Sequence, residues 1–226
     1  MKINSIFGAV LLLVFTLSSC KNDKKQEAKE ENSTEQTQKK ANEQVVYQAD
    51  LSALNSEVTG SETTGKASFT VSGNTMKVVI DVKNAPANME HWQHFHGFVN
   101  GDEASCAQED KNDDDIIDVT ETEEASGTTM IPFNEIPTDI DLGDSTYPIA
   151  DEEGNYHYET SIKIDDLNEA FAKAFDGQDV NLDTRVLYIH GVPEDTDFPE
   201  SVKSIGDIPA QVTLPIACGK ISKVNP

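Results

Sequence analysis

Cationic side chains are scarce in this sequence, and Arg185 is its only arginine. The chain has 17 Lys and Arg against 41 Asp and Glu, which gives a formal net charge of -24 at pH 7. Nucleic acids and anionic lipid surfaces would be repelled by this charge, so we expect no nucleic-acid partner. The excess of carboxylates favours cations as ligands, although such a surface is by itself usually only a solvated one.

The motifs of several enzyme classes are also missing. The sequence contains no G-x-S-x-G, no H-E-x-x-H and no phosphate-binding loop, so nothing in it suggests hydrolytic catalysis. No catalytic residue is therefore assigned. Acid–base chemistry by a histidine beside a carboxylate stays open, because carboxylates are abundant throughout the chain.

Long apolar runs are absent apart from residues 6–17. Lys2 precedes this run and Leu17-Ser18-Ser19-Cys20 closes it, a layout typical of a secretory signal and too short for a stable spanning helix. The small residues before Cys20 resemble a bacterial lipobox. This pattern predicts a signal peptide over 1–19 and acylation (palmitate) of Cys20; a plain signal peptide with an incidental cysteine is the alternative. The expected location is the bacterial cell envelope, with the protein lipid-anchored to the outer membrane and facing away from the cytoplasm.

The composition changes twice after the signal. Residues 20–44 are rich in Lys, Glu, Gln, Asn, Ser and Thr without apolar periodicity, which predicts a disordered tether behind the lipidated cysteine. Apolar patterning begins at Val45, so residues 45–226 are predicted to form one domain large enough to bury a core.

Only Cys106 and Cys218 remain once Cys20 is assigned to the lipid. An even pair in an oxidising compartment predicts a disulfide, which would tie a histidine-rich region to the last strand of the domain.

Most of the apolar alternation in the domain has a period of two residues, which is typical of β-strands. DDLNEAFAKAFDG (165–177) instead has helical spacing, with an Asp at the expected N-cap and Gly177 at the expected end. The pattern predicts an all-β, antiparallel Greek-key β-sandwich with a short helix in a loop insertion. The predicted strands are VVYQADL (45–51), KASFTVS (66–72), MKVVIDVK (76–83), QHFHGFV (93–99), TTMIPF (128–133), YHYETSIKI (156–164), RVLYIHG (185–191) and AQVTLPIACGK (210–220), with a hairpin turn at Ser72-Gly73-Asn74.

Three of the five histidines lie within HWQHFHGFVNGDEASC, residues 91–106. Residues i and i+2 of a strand face the same side, so His94 and His96 present two imidazoles together, a spacing suited to copper, zinc or nickel. The pattern alone leaves three explanations open: a metal site, an acid–base site, or the chance composition of a buried strand.

The ordered segments "HFHGF" followed by a cysteine, "RVLYIHG" and "LPIACGKI" resemble the copper–zinc superoxide dismutases. The resemblance implies a superoxide dismutase-like β-sandwich, copper ligation by His94, His96 and His190, and the disulfide between Cys106 and Cys218. The first half, "YQADLSALNSEVTGSETTGKASFTVSGNTMKVVIDVKNAP…HFHG", also resembles the CHRD domain, named from chordin and found in bacterial secreted proteins. Together the two resemblances cover nearly all of residues 45–222.

The sequence departs from the dismutase pattern at positions that matter for activity. That family has a bridging histidine and a histidine-rich zinc loop after its first cysteine, whereas residues 107–150 here contain no histidine. It also has an arginine three residues before its last cysteine, where this chain has Pro215. The resemblance therefore favours metal binding over efficient dismutation.

Two further histidines have open roles. His91 is either a third or fourth imidazole of the metal site or a loop histidine on its rim. His157, between two tyrosines of a predicted strand, is expected to be structural.

The acidic run DKNDDDIIDVTE (110–121) follows Cys106 and matches the calcium-loop pattern D-x-[DN]-x-[DN]-G-x5-E. Asp115 replaces the usual glycine but tolerates a left-handed backbone better than most residues do. We predict an isolated calcium loop without flanking amphipathic helices, the alternative being a solvated acidic loop. The predicted ligands are Asp110, Asn112, Asp114, the Ile116 carbonyl, Asp118 and Glu121.

Three functional hypotheses follow. The first is a membrane-anchored protein that binds copper or zinc, with calcium in the acidic loop, its protein partner being unknown. The second is a CHRD-type adhesion or scaffold module without catalysis, and the third is a copper-dependent superoxide dismutase.

Overall fold

The described part of the protein is residues 44–143 and 146–224 of a computed structural model. The predicted signal peptide (1–19), Cys20 and all of the predicted tether except Gln44 lie outside these residues. No helix within the described ranges is long and apolar enough to cross a membrane.

Strands are the main regular elements of the described domain, and in several of them side chains alternate between a buried and an exposed face. In β3, for example, every second residue from Met76 to Val82 is buried. The nine strands are β1 (Gln44–Ala53), β2 (Thr64–Ser72), β3 (Thr75–Lys83), β4 (Gln93–Gly97), β5 (Thr128–Pro132), β6 (Tyr156–Lys163), β7 (Val186–His190), β8 (Pro215–Lys220) and β9 (Ser222–Lys223).

Helices are few and short: α1 (Ser56–Thr59), α2 (Val119–Ser126), α3 (Ile164–Ala174) and α4 (Ala210–Thr213), with 3-10 turns at Pro137–Asp139 and Leu182–Thr184. The helix predicted from its spacing is confirmed as α3. Its N-cap is Lys163, and Asp165 and Asp166 lie in its first turn, so the prediction of an Asp N-cap was wrong. The strand predicted over 210–220 was also wrong at its beginning, which forms α4.

All strand pairs are antiparallel, in the order β5-β4-β7-β8-β1-β2-β3-β6, with β9 beside β1. The prediction of an all-β antiparallel fold is confirmed. β1 pairs with β2 over most of its length and with β8 at its end, where Ser52 lies opposite Cys218. Because β3 neighbours β6 while β4 neighbours β7, the chain crosses from one half of the sheet to the other, as in Greek-key connections.

The two halves of the sheet pack face to face through aromatic side chains. The ring of Phe69 on β2 lies 6.3 Å from that of Phe95 on β4 and 5.6 Å from that of Phe133, which follows β5. All three are fully buried. Burying such a side chain stabilises a fold by about 1.5–3 kcal/mol, so this contact is a main source of cohesion between the halves.

The β2–β3 hairpin was predicted from its turn residues. Ser72 pairs with Thr75, which leaves Gly73 and Asn74 as a two-residue loop. Gly73 has a φ of 57°, a left-handed conformation that such tight hairpins require and that glycine adopts without steric cost. The predicted turn is confirmed.

A disulfide joins Cys106, in the long connection between β4 and β5, to Cys218 in β8, with a Cα–Cα distance of 5.9 Å. The predicted pairing is confirmed. The two cysteines are 112 residues apart in sequence. In the chain-entropy description, a bridge that closes a loop of this length stabilises the fold by about 4–5 kcal/mol.

Candidate metal centre

The histidine cluster is assembled by the pairing of β4 with β7, in which His94 lies opposite Tyr188. Opposed residues of an antiparallel pair share a face, as do residues two apart in one strand. His94, His96, Tyr188 and His190 therefore lie on one face of the sheet. The residues between them, such as Phe95, face the other way into the main hydrophobic core.

The three imidazoles lie in mutual contact. Ring centroids are 4.4 Å apart for His94 and His190, 5.0 Å for His94 and His96, and 6.0 Å for His96 and His190. One ligand nitrogen from each ring lies within 4.8 Å of the other two. Among the described residues this is the one group of three or more His, Cys, Asp or Glu side chains whose geometry could hold a metal ion.

Backbone carbonyls determine which nitrogen of two of these rings carries the proton. Nδ1 of His190 lies 2.7 Å from the Thr213 carbonyl and Nδ1 of His96 lies 3.2 Å from the Gly127 carbonyl. A carbonyl only accepts hydrogen bonds, so each Nδ1 is the donor and each Nε2 keeps its lone pair. Nε2 of His96 accepts a 3.1 Å hydrogen bond from the Thr129 hydroxyl.

Two ring nitrogens of the cluster are buried without a hydrogen-bond partner in the part of the chain that the structure describes. They are Nδ1 of His94 and Nε2 of His190. A buried polar atom without a partner costs about 1–3 kcal/mol, and a metal ion would use both lone pairs. The three imidazoles therefore fit a metal ion, which would replace the Thr129 hydroxyl at Nε2 of His96.

The cluster is uncharged at neutral pH. Burial lowers the pKa of His96 to about 3, with a further lowering by His190. Burial also lowers the pKa of His190 to about 4, and it lowers the pKa of His94 well below its ordinary value, helped by the two neighbouring imidazoles. Because metal ligation requires neutral imidazole, no proton has to be displaced from these rings at pH 7.

His91 is not part of the cluster. Its side chain is fully buried, with Nδ1 3.0 Å from the His190 carbonyl and Nε2 2.8 Å from the Pro86 carbonyl, and its ring stacks on Tyr156. Burial lowers the pKa of His91, against the opposing effect of the two carbonyls. The structure does not bring it to the other imidazoles, and the interpretation as a rim histidine was wrong, because the ring links two backbone segments inside the domain.

His157 lies on the surface of β6. Its Nδ1 is 2.7 Å from a carboxylate oxygen of Asp81, the residue opposite it on β3. This is a cross-strand pair, in keeping with the structural role predicted for it.

The acidic run forms a loop that leads directly into α2, which begins at Val119 inside the segment predicted to bind calcium. Asp118 is the N-cap of α2 and forms a reciprocal capping box with Glu121. The Asp118 carboxylate also accepts from the Lys203 amide, and Glu121 accepts from the amides of Lys111 and Asn112. These two predicted calcium ligands thus have a structural role in the described protein.

The other half of the loop keeps the features expected of a cation loop. Asp115 has a φ of 66°, the left-handed conformation anticipated at this position. One Asp110 oxygen accepts from the Asp115 amide at 2.6 Å, which closes the turn. One Asp114 oxygen accepts from the Ile116 amide, while its other oxygen is buried with no partner among the described residues. The predicted ligands Asn112 and Ile116 lie in the same turn.

The single arginine has a structural role inside the domain and does not provide a surface charge. Arg185 is fully buried and donates to the carbonyls of Val180 and Phe98, and its guanidinium lies over the ring of Phe171. A side chain at Gly97 would collide with it. This cation is therefore not exposed to an incoming anion.

Sequence reasoning missed the groups that surround the imidazoles: Tyr188, Ser126, Gly127, Thr129 and Thr213. Only Tyr188 had a local signal, since it lies two residues before His190 and so shares its face of β7. The others lie at the ends of α2 and α4, between α2 and β5, and in β5, and no spacing in the sequence relates them to the histidines.

Comparison of the sequence with protein-family models and with curated proteins finds no match.

We expect the metal-free protein to lose stability as the pH falls from about 6.5 to 5. The three buried imidazoles stay neutral in the fold but bind protons in the unfolded chain, so the unfolded state gains more protons and the free energy of unfolding decreases. Each imidazole contributes about 1.4 kcal/mol per pH unit once the pH is well below its unfolded pKa. Urea denaturation at several pH values in the presence of a chelator measures this slope.

His190→Gln should reduce that slope, because it removes one of the three buried imidazoles. A free energy of unfolding that does not vary over this range in the wild type would contradict the buried, neutral state of the cluster.

Proposed function

We propose that the protein is a lipid-anchored, extracytoplasmic metal-binding protein of the bacterial cell envelope that holds copper or zinc through His94, His96 and His190. The observation that carries this proposal is the buried group of three neutral imidazoles, two of which have a ring nitrogen without a partner among the described residues. Imidazole suits both metals, and copper has the higher affinity for a given nitrogen site.

The resemblance to copper–zinc superoxide dismutases and to CHRD domains supports this assignment. The two paired histidines come from one strand, the third comes from the neighbouring strand, and the disulfide reaches the strand after that. We propose membership of this group on these features together with the sequence segments that resemble it.

Efficient superoxide dismutation is not part of the proposal. The only arginine is buried and bonded to carbonyls, the net charge is -24, and residues 107–150 have no histidine to bridge a second metal. A superoxide anion would be repelled rather than attracted unless the local field were reversed. A dismutase and a metal-free CHRD-type adhesion module are the alternative functions.

Calcium in the acidic loop is a second proposed property. It is supported by the left-handed Asp115 and by the buried Asp114 oxygen that has no partner in the described ranges. Calcium prefers carboxylate and carbonyl oxygens, and both are concentrated in this turn. The ion would rigidify the segment between Cys106 and α2.

We expect the purified wild-type protein to contain about one copper or zinc ion per chain, since a group of three imidazoles suits either ion. His94→Ala/His96→Ala should lose the ion, because two of three ligands are removed. Elemental analysis and a superoxide assay on the same samples measure occupancy and activity together.

The control for this experiment is His157→Ala, which removes an exposed histidine and should retain the metal. Bound copper with histidine-dependent superoxide activity would support the dismutase instead. If the wild type contains neither copper nor zinc and the double variant is as stable as the wild type, the results would support the CHRD-type adhesion module instead.

We expect calcium at about 100 times its dissociation constant to stabilise the chelator-treated protein by about 2.7 kcal/mol, because it binds only the folded loop. For a domain of this size the melting temperature should rise by roughly 5–10 °C. Asp114→Ala should abolish the rise, whereas Asp113→Asn, at an exposed position of the same loop, should keep it. Identical melting curves with and without calcium would show that the loop does not bind calcium and would support the alternative of a solvated acidic loop.

We expect a palmitate analogue to label the wild-type protein in bacterial cells and not Cys20→Ala, since the thiol of Cys20 is the acylation site in the proposed anchor. Mass spectrometry of the N-terminal peptide locates the lipid. Asn22→Ala is the matched control and should be labelled normally. Label that persists on Cys20→Ala would remove the anchor from the proposal.

A further inference from the structure

Tyr188 is a fully buried side chain on the same face of β7 as His190. Its ring centroid lies 4.7 Å from that of His96 and 5.7 Å from that of His190. A tyrosine is thus packed directly against two of the three imidazoles. Packing alone would be served equally well by phenylalanine, so the hydroxyl group needs a separate explanation.

The hydroxyl of Tyr188 has a defined partner on each side. It accepts a 2.9 Å hydrogen bond from the Ala107 amide and lies 2.7 Å from the Ser126 hydroxyl oxygen. Ser126 uses its own proton to donate to the Ser105 carbonyl at 2.8 Å. The proton between the two hydroxyls therefore belongs to Tyr188, which donates to Ser126.

Ser126 ends α2 and is followed by Gly127, whose carbonyl accepts the proton of His96 Nδ1. Gly127 has a φ of 72°, and a Cβ atom there would collide with the Gly97 carbonyl. The backbone at Gly127 is therefore pressed against β4, and the position of its carbonyl depends on how the end of α2 is held.

We propose that Tyr188 is a positioning residue for the metal centre. Its hydroxyl holds Ser126, which fixes the Gly127 carbonyl, and this carbonyl keeps the His96 proton on Nδ1 so that Nε2 keeps a lone pair, which it offers to Thr129 in the metal-free protein and would offer to a metal ion. The inference rests on the proposed function and adds to it the residue that sets the tautomer of one ligand. Hydrogen-bond partners of ligating histidines act in this way in metal sites generally.

The chain offers a matched comparison in Tyr158. This tyrosine also donates its hydroxyl to a backbone carbonyl, that of Asn134, at 2.7 Å, and it packs against the main core. Tyr158→Phe therefore removes an equivalent hydroxyl without touching the imidazoles.

The test compares wild type, Tyr188→Phe and Tyr158→Phe in the full chain, using copper(II) or zinc(II) alone as the probe. We expect Tyr188→Phe to weaken metal affinity about 10–100-fold, as loss of an outer partner typically does, and Tyr158→Phe to leave it unchanged. In the metal-free protein, nitrogen-15 NMR of His96 should show the Nδ1–H tautomer in wild type and a mixture of tautomers in Tyr188→Phe.

Ser126→Ala provides a second route, because it removes the acceptor while keeping the tyrosine ring, and it should shift the His96 tautomer in the same direction. It decides the question if Tyr188→Phe does not fold. An unchanged tautomer and unchanged affinity in the folded variants would overturn the inference, even if their melting temperatures were lower. A wild type that binds neither metal would refute the proposed function, while the tautomer comparison would still decide whether Tyr188 holds His96.

Discussion

The register between β4 and β7, with His94 opposite Tyr188, is the constraint on which the candidate site depends. It places His94, His96 and His190 on one face of the sheet and the intervening apolar residues on the other. A shift of one residue would exchange the two faces, sending imidazoles into the core and phenylalanine out of it. The contact of Phe95 with Phe69 across the sandwich opposes such a shift, so packing of the core also determines the geometry of the site.

The outer face is closed by loops that distant contacts hold in place. The disulfide ties the connection after β4 to β8, and Tyr188 lies opposite Cys218 in the sheet. The residues on either side of Cys106 both contact the network of the Tyr188 hydroxyl. The disulfide, α2 and the imidazoles are therefore joined by a continuous set of contacts. Burial beneath these loops keeps the imidazoles neutral and leaves two of their nitrogens without a partner among residues 44–143 and 146–224, a cost that metal binding would offset.

Sequence patterns predicted the structure correctly in segments whose conformation is determined by a single physical effect. Alternation predicted strands such as β3 because one of its faces is buried, and α3 was predicted because its apolar positions recur at helical spacing. The acidic run is ambiguous in sequence because two patterns overlap there: Asp118 and Glu121 match calcium-ligand positions and equally form a capping box for α2. The helix itself has no marked apolar face, so periodicity could not reveal it. His91 was misjudged because its partners are the carbonyls of Pro86 and His190, which no sequence pattern connects to it.

The sequence by itself determined that the domain is all-β, that Cys106 and Cys218 pair, and that His94 and His96 project together. Each of these follows from short-range periodicity or from the number of cysteines left to pair. Only the tertiary structure decided that His91 stands apart from the cluster and that Tyr188 packs against it. It also decided which nitrogen of His96 and of His190 is free, because the carbonyls of Gly127 and Thr213 that hold their protons come from loops distant in sequence. Proton positions depend on such long-range contacts, and these form only when the loops close over the sheet.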